Sequence, residues 1–209
     1  MKREAPLRVG VLLSGTGRTL DHLVAEMRAG RLPIEIAGVI SSRGDVRGLA
    51  RAKEEKLENV VLRRREFDSP ESYGAAIAAR LRAWKVELVV MAGFLHLWKV
   101  PSDFAGRVMN IHPSLLPKFG GAGMHGHHVH EAVVASGTKE SGCTVHFADD
   151  EYDRGPIILQ RKVPVLPGDT ADALAARVFA EECLAYPEAI RLFAAGRLAL
   201  DGRRVVVKP

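Results

Sequence analysis

The chain has 209 residues of which 47% are hydrophobic, enough to bury one full core, so the length points to a single domain. Thirty Lys and Arg against 25 Asp and Glu leave a charge of +5 that is spread thinly, and aromatic residues make up only 6%. That balance excludes the basic, aromatic-interleaved surface of a nucleic-acid binder and suits small anionic ligands. No apolar run reaches the roughly 18 residues of a membrane span, and the start, MKREAPLRVG, runs into a strand without a signal peptide's apolar region. The expectation is a soluble cytoplasmic protein in which Cys143 and Cys183 remain thiols.

In chain order, Leu7 to Ser14 is a nearly continuous apolar run of strand length that breaks at Gly15-Thr16-Gly17. A helical pattern follows through Leu20, Leu23, Val24 and Met27 and stops at Gly30. Ile34 to Ser41 repeats the strand, Arg47 to Glu55 reads as helix and Val60 to Leu62 as a short strand. Ser69-Pro70-Glu71 opens a helix to Trp84, and Leu88 to Ala92 is the next buried strand. Strands alternating with helices at this rhythm predict right-handed crossovers and an open, mostly parallel twisted sheet with helices on both faces.

Val108 to Pro117, VMNIHPSLLP, is the centre of the chemistry. On a strand, side chains two apart share a face, which sets Asn110 beside His112. Pro113 removes a backbone donor and places both at the strand's carboxyl end, where open α/β sheets bind ligands. After it the pattern changes: Lys118 to Gly126 is a glycine-rich loop, and His130 to Ala135 a short helix. Gly142 to Ala148 and Ile157 to Val165 are strands around an acidic turn, DEYDRGP, from Asp150 to Pro156. Thr170 to Phe193 shows helical periodicity with a kink or break at Tyr186-Pro187, and Leu198 to Val207 reads as a hairpin around Asp201-Gly202. The C-terminal part is therefore expected to hold antiparallel strands.

Taken residue by residue, several features have two readings. The glycine turn after the first strand suits an anion at a helix N-terminus, a tight connection, or an incomplete dinucleotide fingerprint, since Leu20 stands where a GxGxxG pattern needs glycine. Asn110 can donate through its amide and His112 can donate or shuttle a proton near neutral pH; equally, Asn110 could merely end a strand and His112 be a satisfied interior histidine. Leu95, Leu97 and Trp98 read equally as core or as pocket wall. The cluster His125, His127, His128 and His130 lacks cysteines and has few carboxylates nearby, so no metal is expected.

Four ordered blocks carry a resemblance: SGTGRTL from Ser14, AGFLHLW from Ala92, NIHPSLLPKF from Asn110 and VHFADDEYDRGPIILQ from Val145. From Leu7 to about Leu200 the chain resembles the glycinamide ribonucleotide formyltransferases. The resemblance implies a Rossmann-like formyltransferase fold, one domain over residues 1–209 with a phosphate-binding half (1–100) and a catalytic and folate-binding half (101–209). It implies formyl transfer from 10-formyltetrahydrofolate, a co-substrate, to the amine of glycinamide ribonucleotide in purine biosynthesis. Asn110, His112 and Asp153 would be catalytic, the first two holding the formyl oxygen and the third helping to move the amine's proton. Gly15, Thr16, Gly17, Arg18, Thr19 and Leu20 would take the ribonucleotide phosphate. Leu95, His96, Leu97, Trp98, Asn110, Asp149 and Asp150 would border the folate, and His125 and His128 are candidates for substrate contact.

The chain departs from the family pattern where Ser-Asn is usual and Arg18-Thr19 stands, and at Pro70 and His96, where arginines often meet the folate glutamate. Carboxylate recognition would then use other groups, with Arg63, Arg64 or Arg65 as candidates, or be weaker. Partners would be small molecules, without nucleic acid or membrane, acting on a monomer or homodimer. The alternatives are a formyltetrahydrofolate hydrolase, which usually carries an extra amino-terminal domain, and a non-catalytic folate or nucleotide binding module. A transfer-RNA formyltransferase would need a further domain beyond Gly196.

Overall fold

The structure, a computed structural model, describes residues 5–209. Residues 1–4, on which the reading of the chain's start partly rests, lie outside the described residues. The chain divides into two compact units, Met1–Met109 and Asn110–Pro209.

In the first unit the apolar runs become β1 (Leu7–Leu13), β2 (Ile34–Ser41), β3 (Asn59–Val61) and β4 (Leu88–Met91). β1 pairs in parallel with both β2 and β4, and β2 pairs in parallel with β3. Parallel strands covered on both faces need no polar alternation, which is why β1 and β4 are apolar almost throughout. Three helices connect them: α1 (Arg18–Arg28), α2 (Arg47–Glu54) and α3 (Pro70–Ala83). α3 opens as the sequence suggests, with Pro70 in the first turn. The Ser69 hydroxyl accepts from Ser72 N–H at 3.0 Å, and the Ser72 hydroxyl accepts from Ser69 N–H at 3.2 Å, so a serine replaces the usual glutamate of a capping box.

β5 (Val108–His112) begins in the first unit and ends in the second. The second unit continues with α4 (His127–Ala135), β6 (Glu140–Phe147), β7 (Ile157–Pro164), α5 (Ala171–Ala194), β8 (Leu198–Asp201) and β9 (Arg204–Val207). Among the described residues the strand order is β3-β2-β1-β4-β5-β6-β7, with β8 and β9 a separate antiparallel pair. β6 and β7 are antiparallel, so the sheet is mostly parallel with an antiparallel edge. α5 packs on β6 and β7, and α4 packs on α5.

Three local expectations are corrected. α4 starts at His127 rather than His130, because Gly126 turns the chain at φ +55° and Val129, His130 and Val133 then bury one stripe. Of the kink or break expected at Tyr186-Pro187, the break is ruled out, since α5 continues through it. Losing one backbone bond there costs about 3 kcal/mol, whereas Ala185, Tyr186, Ala189 and Ile190 are all at most 1% exposed, and burying each large side chain is worth roughly 1.5–3 kcal/mol. In the C-terminal hairpin Asp201 pairs with Arg204, so the two turn residues are Gly202 and Arg203 rather than Asp201 and Gly202.

Candidate active site

In the second unit, four side chains converge at the end of β5 and the end of β6. Asn110 and His112 share a face of β5, as period two requires, and Pro113 ends the strand beyond them. His112 is 3% exposed, and its Nε2 lies 2.7 Å from the Phe119 carbonyl. A carbonyl only accepts, so Nε2 carries the hydrogen and Nδ1 is turned to Asp153 Oδ2 at 3.4 Å.

Asp153 sits in the acidic turn at φ +56°, a left-handed conformation that aspartate tolerates better than most residues. Its Oδ2 also accepts from Gly121 N–H at 3.0 Å, and its Oδ1 lies 3.4 Å from Asn110 Nδ2. Burial alone would push this carboxyl up, but the His146 and His112 rings and the Gly121 N–H outweigh it and hold the group below its ordinary range. For His112, burial dominates and holds the ring below its ordinary value of 6.5, against the Asp153 carboxylate and the Phe119 carbonyl, which favour the proton. The pair therefore rests as neutral imidazole beside carboxylate, ready to accept one proton between Nδ1 and Oδ2.

Sequence reasoning missed His146. Its Nδ1–H donates to the Phe147 carbonyl at 2.9 Å, which leaves Nε2 to accept from Asn110 Nδ2 at 3.1 Å. The ring thereby fixes which way the Asn110 amide faces. A register shift between Val145 and His146 in the β6–β7 pairing places this residue, as bulges beside functional sites do. Its place within the VHFADDEYDRGP block was the available signal. Thr144, equally unremarked in the sequence, donates to Ser114 O at 2.6 Å and accepts from Leu116 N–H at 3.0 Å and Gln160 Nε2 at 2.8 Å. It stitches the HPSLLP loop to β6 and β7.

The acidic turn is held from two sides. At Gly155 an added Cβ would lie 1.7 Å from the Phe147 carbonyl oxygen, so only glycine closes it. Arg203, in the hairpin turn, pairs with Asp149 Oδ2 at 3.1 Å and donates to the Arg154 carbonyl. Asp149 Oδ1 accepts from Glu151 N–H at 3.1 Å, so this carboxylate shapes the turn, while Asp150 is exposed. His125 and His128 are exposed, their rings 5.8 Å apart, with His128 Nδ1 3.2 Å from Glu131. Among the described residues no group of three or more His, Cys, Asp or Glu converges as metal ligands do.

In the first unit, the glycine turn joins β1 to α1 with Gly17 at φ +77° as the helix cap. Asp21 N–H is the first to bond back, to Gly17 O at 2.9 Å, so the N–H groups of Thr19 and Leu20 precede the helical ladder and meet the positive end of the helix. Ser14, buried before the turn, receives hydrogen bonds on its hydroxyl from Ser42 Oγ at 2.6 Å and Leu95 N–H at 3.1 Å. The AGFLHLW block divides: Leu95, His96 and Leu97 are half-buried, whereas Trp98 is core, 2% exposed with its indole N–H donating to Gly74 O. His96 stands edge-on to Tyr73 and Phe94, and burial, then Arg43 and Arg64, hold its ring below the ordinary value. Of the arginine run, Arg63 pairs with Glu66 at 2.9 Å and Arg64 donates to Phe67 O at 2.8 Å.

Residues 7–190 match the family described as Formyl transferase. The phosphoribosylglycinamide formyltransferase of Escherichia coli is 37% identical over 95% of this chain and 96% of its own length. The trifunctional purine biosynthetic protein adenosine-3 of Drosophila pseudoobscura pseudoobscura is 40% identical, and the chain spans 14% of it. Among solved structures, glycinamide ribonucleotide transformylase 1 of Symbiobacterium toebii superposes with a TM-score of 0.91 at 44% identity, covering 99% of this chain and 96% of that one. A formyltetrahydrofolate deformylase of Pseudomonas syringae shares the fold at 24% identity, and the chain covers 67% of it. The chain belongs to the formyl transferase family.

Proposed function

We propose that this enzyme transfers the formyl group of 10-formyltetrahydrofolate to the amine of glycinamide ribonucleotide. The observation that carries the reading is the convergence of Asn110, His112 and Asp153 in a chain of this family. The amine attacks the formyl carbon, a C–N bond forms, and the carbonyl becomes a tetrahedral oxyanion while the nitrogen gains positive charge. Asn110 Nδ2–H serves the oxyanion: its 3.4 Å bond to Asp153 is long and readily exchanged, and the 3.1 Å bond to His146 keeps the amide aimed. The nitrogen's proton passes to the His112–Asp153 pair. The C–N10 bond of the folate then breaks, the carbonyl reforms, and N10 takes a proton from the same pair.

The glycine turn Gly15-Thr16-Gly17 with Arg18, Thr19 and Leu20 takes the phosphate, supported by the helix N-terminus and by the unfilled space at Gly15. Leu95, His96 and Leu97 border the folate, and Arg64, whose charge reaches His96, receives the glutamate carboxylate. His125 and His128 remain exposed donors for the ribonucleotide. The reading carries with it a cytoplasmic enzyme acting on small molecules, as monomer or homodimer, with no nucleic-acid or membrane partner. No helix among the described residues is long and apolar enough to cross a membrane.

The test is deformylation of a 10-formylfolate followed by absorbance, with and without glycinamide ribonucleotide. Turnover that requires the ribonucleotide supports the reading. Equal turnover without it replaces the transferase with a hydrolase, and none under either condition leaves a binding module.

A further inference from the structure

The second unit holds a cavity of about 230 Å³ that the chemistry above does not use. Leu115 and Phe119, from the loop after β5, supply apolar walls, and Lys118, Thr138, Lys139 and Ser141 supply the polar ones. Drug-sized ligands occupy roughly 300–1,000 Å³, so the occupant here is smaller, a single ring or a short chain.

Ser141 indicates what it must offer. The residue is 2% exposed, and its hydroxyl has no hydrogen-bond partner among the described residues. A buried hydroxyl left so is destabilising, and an acceptor in the cavity would satisfy it. Two lysines, Lys118 and Lys139, line the cavity with one carboxylate residue, Glu140, and that carboxylate is engaged by Lys162 Nζ at 3.1 Å. The lining thus carries a net positive charge together with apolar walls.

We propose that this cavity binds a small carboxylate with an apolar body, its oxygens meeting Lys118, Lys139 and the Ser141 hydroxyl and its body lying against Leu115 and Phe119. Phe119 gives the site a route to the rest of the unit. Its carbonyl is the one that accepts from His112 Nε2–H, so an occupant pressed on its ring steadies the segment that orients His112.

The probe is benzoate, titrated by calorimetry into the full-length protein. Saturable binding is expected, weakened about tenfold or more by the paired change Lys118→Ala and Lys139→Ala and several-fold by Ser141→Ala. Benzyl alcohol, which lacks the charge, should bind about tenfold more weakly, and Asp153→Asn should leave benzoate affinity unchanged. Both lysines are exposed, so their loss leaves the fold intact. The proposal falls if benzoate does not saturate, if benzyl alcohol binds equally well, or if Asp153→Asn removes binding while the lysine pair does not. None of these outcomes depends on which amine accepts the formyl group.

Discussion

Nδ1 of His112 faces Oδ2 of Asp153 at 3.4 Å while the opposite nitrogen of the same ring is committed to the Phe119 carbonyl. The ring therefore has one nitrogen through which to gain a proton, and that nitrogen is already beside a carboxylate. Asp153→Asn keeps the shape and removes the charge. Positioned proton transfer is worth about 10²–10⁴-fold, so kcat should fall by that range with folate binding retained. The carboxylate is one of the influences favouring the His112 proton, so the residual activity should show its acidic limb at lower pH than the wild type. A pH–rate profile of both proteins checks this; an unmoved limb would separate His112 from Asp153.

His146 acts on Asn110 rather than on substrate. His146→Leu removes the acceptor that fixes the amide's direction, so the expected effect is a fall in kcat of about tenfold, smaller than that of Asp153→Asn. His146→Gln, which can still accept, should recover part of it. Equal loss in both variants would make the ring's packing, not its nitrogen, the cause.

Arg203 is mostly exposed, with 71% of its side chain accessible, and such ion pairs contribute only about 0–1 kcal/mol. Arg203→Ala should leave thermal stability nearly unchanged. Because the guanidinium spans Asp149 and the Arg154 carbonyl on either side of the acidic turn, KM for the formylfolate should rise several-fold while kcat changes little. Steady-state kinetics at saturating ribonucleotide would show the split.

Gly155→Ala drives a methyl into the Phe147 carbonyl at a distance no packing adjustment absorbs. The turn must open, and with it the place of Asp153. A loss of at least about 3 kcal/mol in denaturant unfolding is expected, at the upper end for a single substitution.

His130 is 6% exposed, its Nδ1 has no partner among the described residues, and burial, then His127 and His112, push its ring down to about 4 from 6.5. Unfolded, the imidazole takes its proton near 6.5; folded, only near 4. Between these values the unfolded chain binds more protons, so stability falls as pH falls, by up to roughly 3 kcal/mol across the window. His130→Leu should flatten the stability–pH curve between pH 6.5 and 4, leaving the contribution of His112 in the same direction. Chemical unfolding at several pH values measures it.

The parallel half of the fold was legible because most of its strands are apolar on both faces and several are punctuated by glycine or proline: β1 at Gly15, β5 at Pro113. Asn110 and His112 were legible for the same reason, since period two and a terminating proline fix face and end together. His146 was not, because it lies in a strand buried from Ser141 to Phe147, where no alternation distinguishes a residue turned to the site from a core one. Trp98 illustrates the reverse failure: an apolar run after a strand has no local mark that says wall or core, and only the Gly74 carbonyl decides it. The passage of α5 through Pro187 was also illegible, since the local cost of proline is visible in sequence while the burial that offsets it is not. Arg203 lies some fifty residues from the turn it clasps, and no short-range pattern joins them.

The Ser14 hydroxyl has a last consequence. It receives bonds from Ser42, just past β2, and from Leu95, just past β4, while itself standing at the end of β1. One buried oxygen is thus the knot at which the glycine turn after β1 and the segment after β4 are tied. The two segments share a degree of freedom instead of owning one each, so a ligand that stills the first has already met part of the entropy of stilling the second. Under the function proposed above, recognition at the two segments is then a single event, and loosening the knot with Ser14→Ala would turn it back into two.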